Sequence, residues 1–194
     1  MYKTIIKRFF DFLVSAIICL MLIPLFIIIY IAVKVDSKGS FFFFQERLGK
    51  QGKCFKVFKI RTMTDKPRET TQEILKGNAE VTKVGAILRR LKIDELPQIL
   101  NILKGDMSFV GPRPCMPSLQ EEFNEDGKKR LLVRPGLTGL AQTNGNIYLT
   151  WPERWKYDRQ YVENLNFLLD IQILFKTVLI VFMGEEKFLK KPNV

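Results

Sequence analysis

The chain contains no histidine. That absence excludes serine–histidine and cysteine–histidine nucleophile pairs, histidine metal sites and the commonest general base. Any catalysis falls to carboxylates, lysine, thiols or a metal held by oxygen ligands. Cysteine is scarce. Cys19, Cys54 and Cys115 are odd in number and lack metal-ligand spacing, and Cys19 lies in an apolar run where it reads as a small hydrophobe. No disulfide framework follows, which assigns the polar part of the chain to a reducing cytoplasm. Acid is short too, with 20 Asp and Glu against 31 Lys and Arg. The net charge of +11 points to polyanionic partners: nucleic acid, anionic lipid headgroups or phosphorylated substrates. Internal repeats and low-complexity tracts are absent. The 194 residues have room for one domain with a modest core plus one membrane element.

What is present is unevenly spread. From Phe12 to Val33 no residue is charged, and a continuous helix of that length would reach about 33 Å, enough to cross the hydrocarbon core. A secretory signal is set aside, because Lys34 follows and no small-residue cleavage pattern appears. Pro24 sits mid-run, where it removes a helix hydrogen bond and bends the axis. Both flanks are basic, with Lys3, Lys7 and Arg8 before the run and Lys34 and Lys38 after it. The positive-inside tendency therefore gives no orientation. A helix–break–helix returning to its own side satisfies both flanks, and a kinked spanning helix fits the residues equally well. A second apolar block, Leu165 to Met183, carries Asp170 and Lys176. Spanning would bury both charges, so an interfacial or docking helix is expected, with a core helix as the alternative.

Between these blocks, Phe41–Phe44 and Phe55–Ile60 read as short strands around a glycine-bearing turn at Gly49–Gly52. Pro67 to Glu80 reads as a polar loop with a helical piece. Thr82 to Leu91 and Leu96 to Leu103 read as helices, the second closed by Gly105. Gly111-Pro112-Arg113-Pro114 must be a rigid extended loop. Ser118 to Leu132 is expected to be helical, acidic first and basic last, and Arg134-Pro135-Gly136 opens another loop.

The chemistry concentrates at Arg89-Arg90-Leu91-Lys92-Ile93-Asp94-Glu95-Leu96-Pro97. Asp94 is expected as a helix N-cap with Pro97 in the first turn, and an Asp before a helix is more often a cap than a nucleophile. Three features weigh the other way. A helix start attracts phosphate and keeps a carboxylate ionised; two arginines close by can clamp phosphoryl oxygens; and the adjoining Glu95 suits a shared Mg²⁺ or a nucleophile–base division of labour. Lys59, Arg61, Arg113 and Arg134 sit in stiff segments suited to fixing a pyrophosphate.

The segment Lys92-Ile93-Asp94-Glu95-Leu96-Pro97-Gln98, then Leu103-Lys104-Gly105-Asp106-Met107-Ser108-Phe109-Val110-Gly111-Pro112-Arg113-Pro114, resembles the bacterial sugar transferases, the small monotopic phosphoglycosyl transferases. The match continues through Val133–Gln142 and Asn144-Gly145, and upstream through Lys7–Asp11, Phe44–Arg47 and Lys59–Met63. The resemblance implies a mostly helical α+β protein. Residues 1–38 would form a re-entrant membrane helix broken near Pro24, and residues 39–194 a catalytic domain with a short β-hairpin and a C-terminal interfacial helix. The domain would rest on the cytoplasmic face of a bacterial inner membrane, against phospholipid. With no further segment before the hairpin, this would be the family's minimal form.

The implied reaction is ping-pong and uses Mg²⁺. Asp94 would attack the β-phosphorus of a UDP-sugar, releasing UMP, and polyprenol (undecaprenyl) phosphate would then take the phosphosugar. That is the first membrane step of a glycoconjugate or polysaccharide pathway, with downstream glycosyltransferases as partners. Asp94 and Glu95 become the catalytic and metal-binding pair. The substrate-phosphate set of Lys59, Arg61, Arg89, Arg113 and Arg134 extends to Gln142 and to Asp158, which falls at a family acidic position. One departure is Asn146, where relatives commonly carry arginine after Asn-Gly. The competing reading is a non-enzymatic basic membrane-surface module binding anionic lipid. Nucleic acid is not expected, since the aromatics are not interleaved with lysine and arginine as stacking platforms.

Overall fold

The computed structural model describes residues 2–64 and 80–184. The expected loop at Pro67–Glu80 lies outside them except for its last residue. After a π-helical turn at Tyr2–Ile6, helix α1 runs over Lys7–Asp36. Pro24 does not interrupt it, and the expected break into two helices is absent as a gap in helical structure. A proline forfeits one main-chain bond and bends the axis without forcing neighbouring residues out of helical dihedrals. Among the described residues, α1 is the one helix long and apolar enough to cross a membrane. It is not a core helix. Leu20 and Met21 are about 70% exposed, and only Asp11, Ser15, Ile29 and Val33 are buried.

Both ends of α1 are fastened to the rest of the protein. At the first, Arg8 donates to the Ile102 and Leu103 carbonyls at 2.6 and 2.8 Å, and Asp11 Oδ1 accepts from the Phe109 amide at 3.2 Å. At the second, Asp36 Oδ2 accepts from the Val84 amide at 2.9 Å, and Arg61 donates to the Ser37 carbonyl at 2.7 Å. There Ile29 and Val33 pack with Phe41, Ile60 and Leu88.

Strands β1 (Phe42–Leu48) and β2 (Cys54–Ile60) form the expected antiparallel hairpin, with Phe42 opposite Ile60 and Leu48 opposite Cys54. Helix α2 (Lys83–Arg90) is capped by Thr82, whose Oγ1 accepts from the Gly85 amide at 3.0 Å. Helix α3 (Gln98–Lys104) ends at Gly105, which adopts φ 101°, the left-handed conformation glycine takes without strain. Asn101 locks α3 to β2: its Oδ1 accepts from the Phe58 amide and its Nδ2 donates to the Lys56 carbonyl.

Three features depart from the sequence reading. Residues 118–132 are not one helix but a 3₁₀ stretch (Pro117–Glu122), a short α4 (Glu125–Lys129) and a 3₁₀ turn (Arg130–Leu132). The chain restarts at Asn124, whose Oδ1 caps the Gly127 amide, because Phe123 turns into a cluster with Leu48, Cys115 and Trp155. Strands β3 (Ser108–Val110) and β4 (Gly136–Thr138) form a parallel pair that the sequence reading did not assign as strands, being too short to show a periodicity. Beyond a short α5 (Leu140–Thr143), helix α6 (Trp151–Asn164) starts at a capping box of Thr150 and Glu153 that the sequence reading did not use.

The apolar block near the C-terminus forms α7 (Phe167–Met183), docked through Asp170, Ile173 and Ile180 and exposing Phe175, Val181 and Phe182. Asp170 is 4% exposed and accepts from Tyr2 at 2.6 Å, Tyr161 at 2.8 Å and Lys7 at 2.7 Å. The charge is tolerable at depth because it is both paired and hydrogen-bonded. Asp170→Ala would leave the partly buried Lys7 ammonium uncompensated. It should cost about 3–5 kcal/mol, measured as a loss of unfolding stability in detergent.

Candidate functional site

Lys92 takes a left-handed conformation, φ 56° and ψ 20°, between α2 and a 3₁₀ turn at Ile93–Glu95. A lysine there costs about 1–2 kcal/mol. The kink separates the acidic pair from α2, while Leu96 and Pro97 continue in helical conformation into α3. Asp94 is therefore not the N-cap of α3. That position belongs to Pro97, without side-chain capping, so the Asp94 carboxyl is not committed to a helix end.

Glu95 is tied down. Its Oε1 accepts from Lys59 Nζ at 3.0 Å and from Arg113 Nη2 at 3.1 Å. Burial works against its charge, but Arg113 and Lys59 outweigh that and hold its pKa at about 2. Asp94 moves the other way. Burial and the adjacent Glu95 charge raise its pKa, opposed by Lys59 and Arg89. The expectation that the surroundings favour ionised Asp94 holds for the two cations and fails in net direction, because desolvation is the larger effect. No lysine or arginine among the described residues forms an ion pair with Asp94.

A cleft of about 380 Å³ opens beside this turn. Lys59, Glu95 and Arg113 form one wall; Arg47, Gln98, Arg130, Gln142, Asn146, Trp151, Arg154 and Asp158 contribute the others. The Arg154 guanidinium stacks over the Trp151 ring at 4.7 Å. Asp94 adjoins the cleft through Glu95 without itself lining it.

A family model described as bacterial sugar transferase matches residues 2–184. The chain belongs to the bacterial sugar transferase family. It is 42% identical over 183 residues to the uncharacterized sugar transferase EpsL of Bacillus subtilis, covering 93% of this chain and 89% of that one. The exopolysaccharide production protein ExoY of Rhizobium meliloti is 39% identical, over 89% of this chain and 83% of its own. The UDP-glucose:undecaprenyl-phosphate glucose-1-phosphate transferase of Klebsiella pneumoniae is also 39% identical, over 95% of this chain but only 42% of its own length.

The expected site residues of this sugar transferase divide into two groups. Lys59, Glu95, Arg113, Gln142 and Asp158 meet at the cleft, and Arg89 acts on Asp94 while its Nε donates to Thr62 Oγ1 at 2.8 Å. Arg61 and Arg134 do not come to the cleft. Arg61 fastens the end of α1 at Ser37, and Arg134 Nε donates to the Gly105 carbonyl at 2.8 Å, satisfying the C-terminal end of α3. Asp158 is 3% exposed and faces Arg130, Nε to Oδ2 3.4 Å. The Asp158 carboxylate is thus engaged by a cation of the protein. Gln142 has no hydrogen-bond partner for either amide atom among the described residues.

The sequence reading missed Arg130, Trp151 and Arg154. Arg130 was read as the last-turn base of a helix that does not form, and no local signal marks it. As for a metal, no cluster of three or more acidic or thiol groups that could hold one exists among the described residues. Two adjacent hard-oxygen side chains do fit Mg²⁺ in its common mode, bound by one or two carboxylates with substrate phosphates completing the shell.

Burial raises the Asp158 pKa from 3.8 to about 6 against the pull of Arg130 and Arg154. A carboxyl with a raised folded-state pKa binds its proton more tightly folded than unfolded, so stability falls as pH rises between the two values. The wild-type protein should lose stability from about pH 4 to pH 6 through this group. Asp158→Asn should flatten that part of a stability–pH profile recorded by denaturant unfolding.

Proposed function

We propose that this chain transfers a sugar 1-phosphate from a UDP-sugar to polyprenol phosphate, giving polyprenyl-diphospho-sugar and UMP. The observation that carries the reading is the unequal treatment of two neighbouring carboxyls at a cation-lined cleft. Glu95 is locked by Lys59 and Arg113, whereas Asp94 forms no ion pair among the described residues and has a raised pKa. A carboxyl not neutralised by a tight ion pair, and more basic than usual, is suited to attack phosphorus. Relatives bear names for this reaction type, including undecaprenyl-phosphate galactose phosphotransferase in Salmonella typhimurium.

In the proposed reaction an Asp94 oxygen bonds to the β-phosphorus while the bond to the bridging oxygen breaks, and UMP leaves. A phosphate oxygen of the lipid then attacks the same phosphorus, and the Asp94–phosphorus bond breaks to regenerate the carboxylate. Arg113 and Lys59, aimed by Glu95, hold the phosphoryl oxygens as negative charge shifts to the leaving group. Mg²⁺ bound by Asp94 and Glu95 would neutralise charge on the pyrophosphate.

The same reading makes α1 re-entrant, with the domain on the cytoplasmic face of the inner membrane and phospholipid around the exposed apolar side chains. A spanning helix would carry one end about 30 Å away, across the hydrocarbon core. Arg8 and Asp11 at one end, and Asp36 and Ser37 at the other, all bond to the same folded domain.

With UDP-sugar, Mg²⁺ and no lipid acceptor, the enzyme should release at most about one UMP per site and gain the mass of one phosphosugar on Asp94. Asp94→Asn should abolish both signals in a folded protein, and Arg113→Ala should cost about 2–4 kcal/mol of transition-state stabilisation. UMP release from wild type only when both substrates are present, with no adduct, would exclude the two-step route.

A further inference from the structure

Arg113 is the cleft's exposed cation on Glu95, yet it stands between two prolines that offer no amide hydrogen. From Pro112 to Cys115 the loop is held through carbonyls. The Pro112 carbonyl accepts from the Gly136 amide at 2.9 Å, and the Cys115 carbonyl accepts from the Leu48 amide at 2.9 Å. Between them, the carbonyl of Arg113 itself accepts from Arg130 Nη2, a side chain. Arg130 is 5% exposed, lies over the Phe123 ring with its guanidinium carbon 5.6 Å from the centroid, and faces Asp158 from α6.

We propose that the buried Arg130–Asp158 pair is a positioning device that sets the backbone of Arg113 and so the aim of its guanidinium at Glu95 and the substrate phosphate. The inference rests on the phosphosugar-transfer reading above. Its physical logic is one of cost. Arg130 and Asp158 are both nearly excluded from water, and at 3.4 Å their contact is longer than a tight charge-assisted hydrogen bond. Such pairs contribute little net stability, and apolar replacements of similar volume are often as stable. What an apolar pair could not supply is the donor to the Arg113 carbonyl. A planar guanidinium meets both obligations, the carboxylate through Nε and the carbonyl through Nη2, from one fixed plane. Asp158 keeps that plane in place without reaching the Glu95–Arg113 contact.

The test is a double-mutant cycle on UMP release by the full chain in detergent or nanodiscs, with melting temperature recorded for each variant. Arg130→Met and Asp158→Asn should each lower kcat/KM at least tenfold. Arg130→Lys should recover only part of the loss, because an ammonium lacks the fork. In an Arg113→Ala background both substitutions should lose most of their effect, since the group they aim is gone. If Arg130→Met does not fold, the Asp158→Asn and Arg130→Lys arms carry the cycle. Undiminished losses in the Arg113→Ala background, or single variants that melt earlier but turn over as wild type, would overturn the positioning role. Absence of UMP release from wild type would instead count against the transfer reading on which it rests.

Discussion

Glu95 Oε1 collects two cations that reach it from distant parts of the chain, Lys59 on β2 and Arg113 in the proline-flanked loop after β3. Around that single oxygen the hairpin, the 3₁₀ turn and the loop converge, and the cleft is the space between them. The node also separates the chemistry of two adjacent carboxyls. Because Glu95 holds the nearest cations, it stays ionised under all ordinary conditions, and its fixed negative charge adds to desolvation in raising Asp94. The left-handed Lys92 makes the arrangement reachable by turning the pair out of line with α2.

The long apolar helix α1 obeys a different constraint. An apolar helix with few buried side chains gains little from the domain's core beyond the packing of Ile29 and Val33, so polar contacts at its two ends carry much of its attachment. Arg8 and Arg134 both spend hydrogen bonds on carbonyls at the end of α3, the helix that follows the acidic pair. Asp36 caps the start of α2, the helix that precedes it. The acidic turn is thus bracketed by two short helices that α1 pins directly, which couples the long apolar helix to the site without any residue of α1 entering the cleft.

Much of the local structure could be read from the residues. The apolar run of α1, the hairpin around Gly49–Gly52, the helix that follows Thr82 and the Gly105 stop each rest on a preference within a few positions. The acidic pair was legible too, since Asp94-Glu95 among arginines departs from what a plain cap requires. Roles that depend on direction were not. Arg113 and Arg134 look alike in sequence, each beside a proline, yet only Arg113 reaches the cleft.

The sequence by itself determined the chemistry available: no histidine, two adjacent carboxyls, an excess of cations and one long apolar segment. Tertiary structure decided which of those groups meet. It joined the three-residue strands β3 and β4, whose pairing depends on a partner roughly thirty residues away and not on local periodicity. It broke the expected helix at Phe123, because burying that ring against Trp155 outweighed helical continuity. And it brought Arg130 to Asp158 in the wall of the cleft, since a charge excluded from water must find its partner wherever the packing places one.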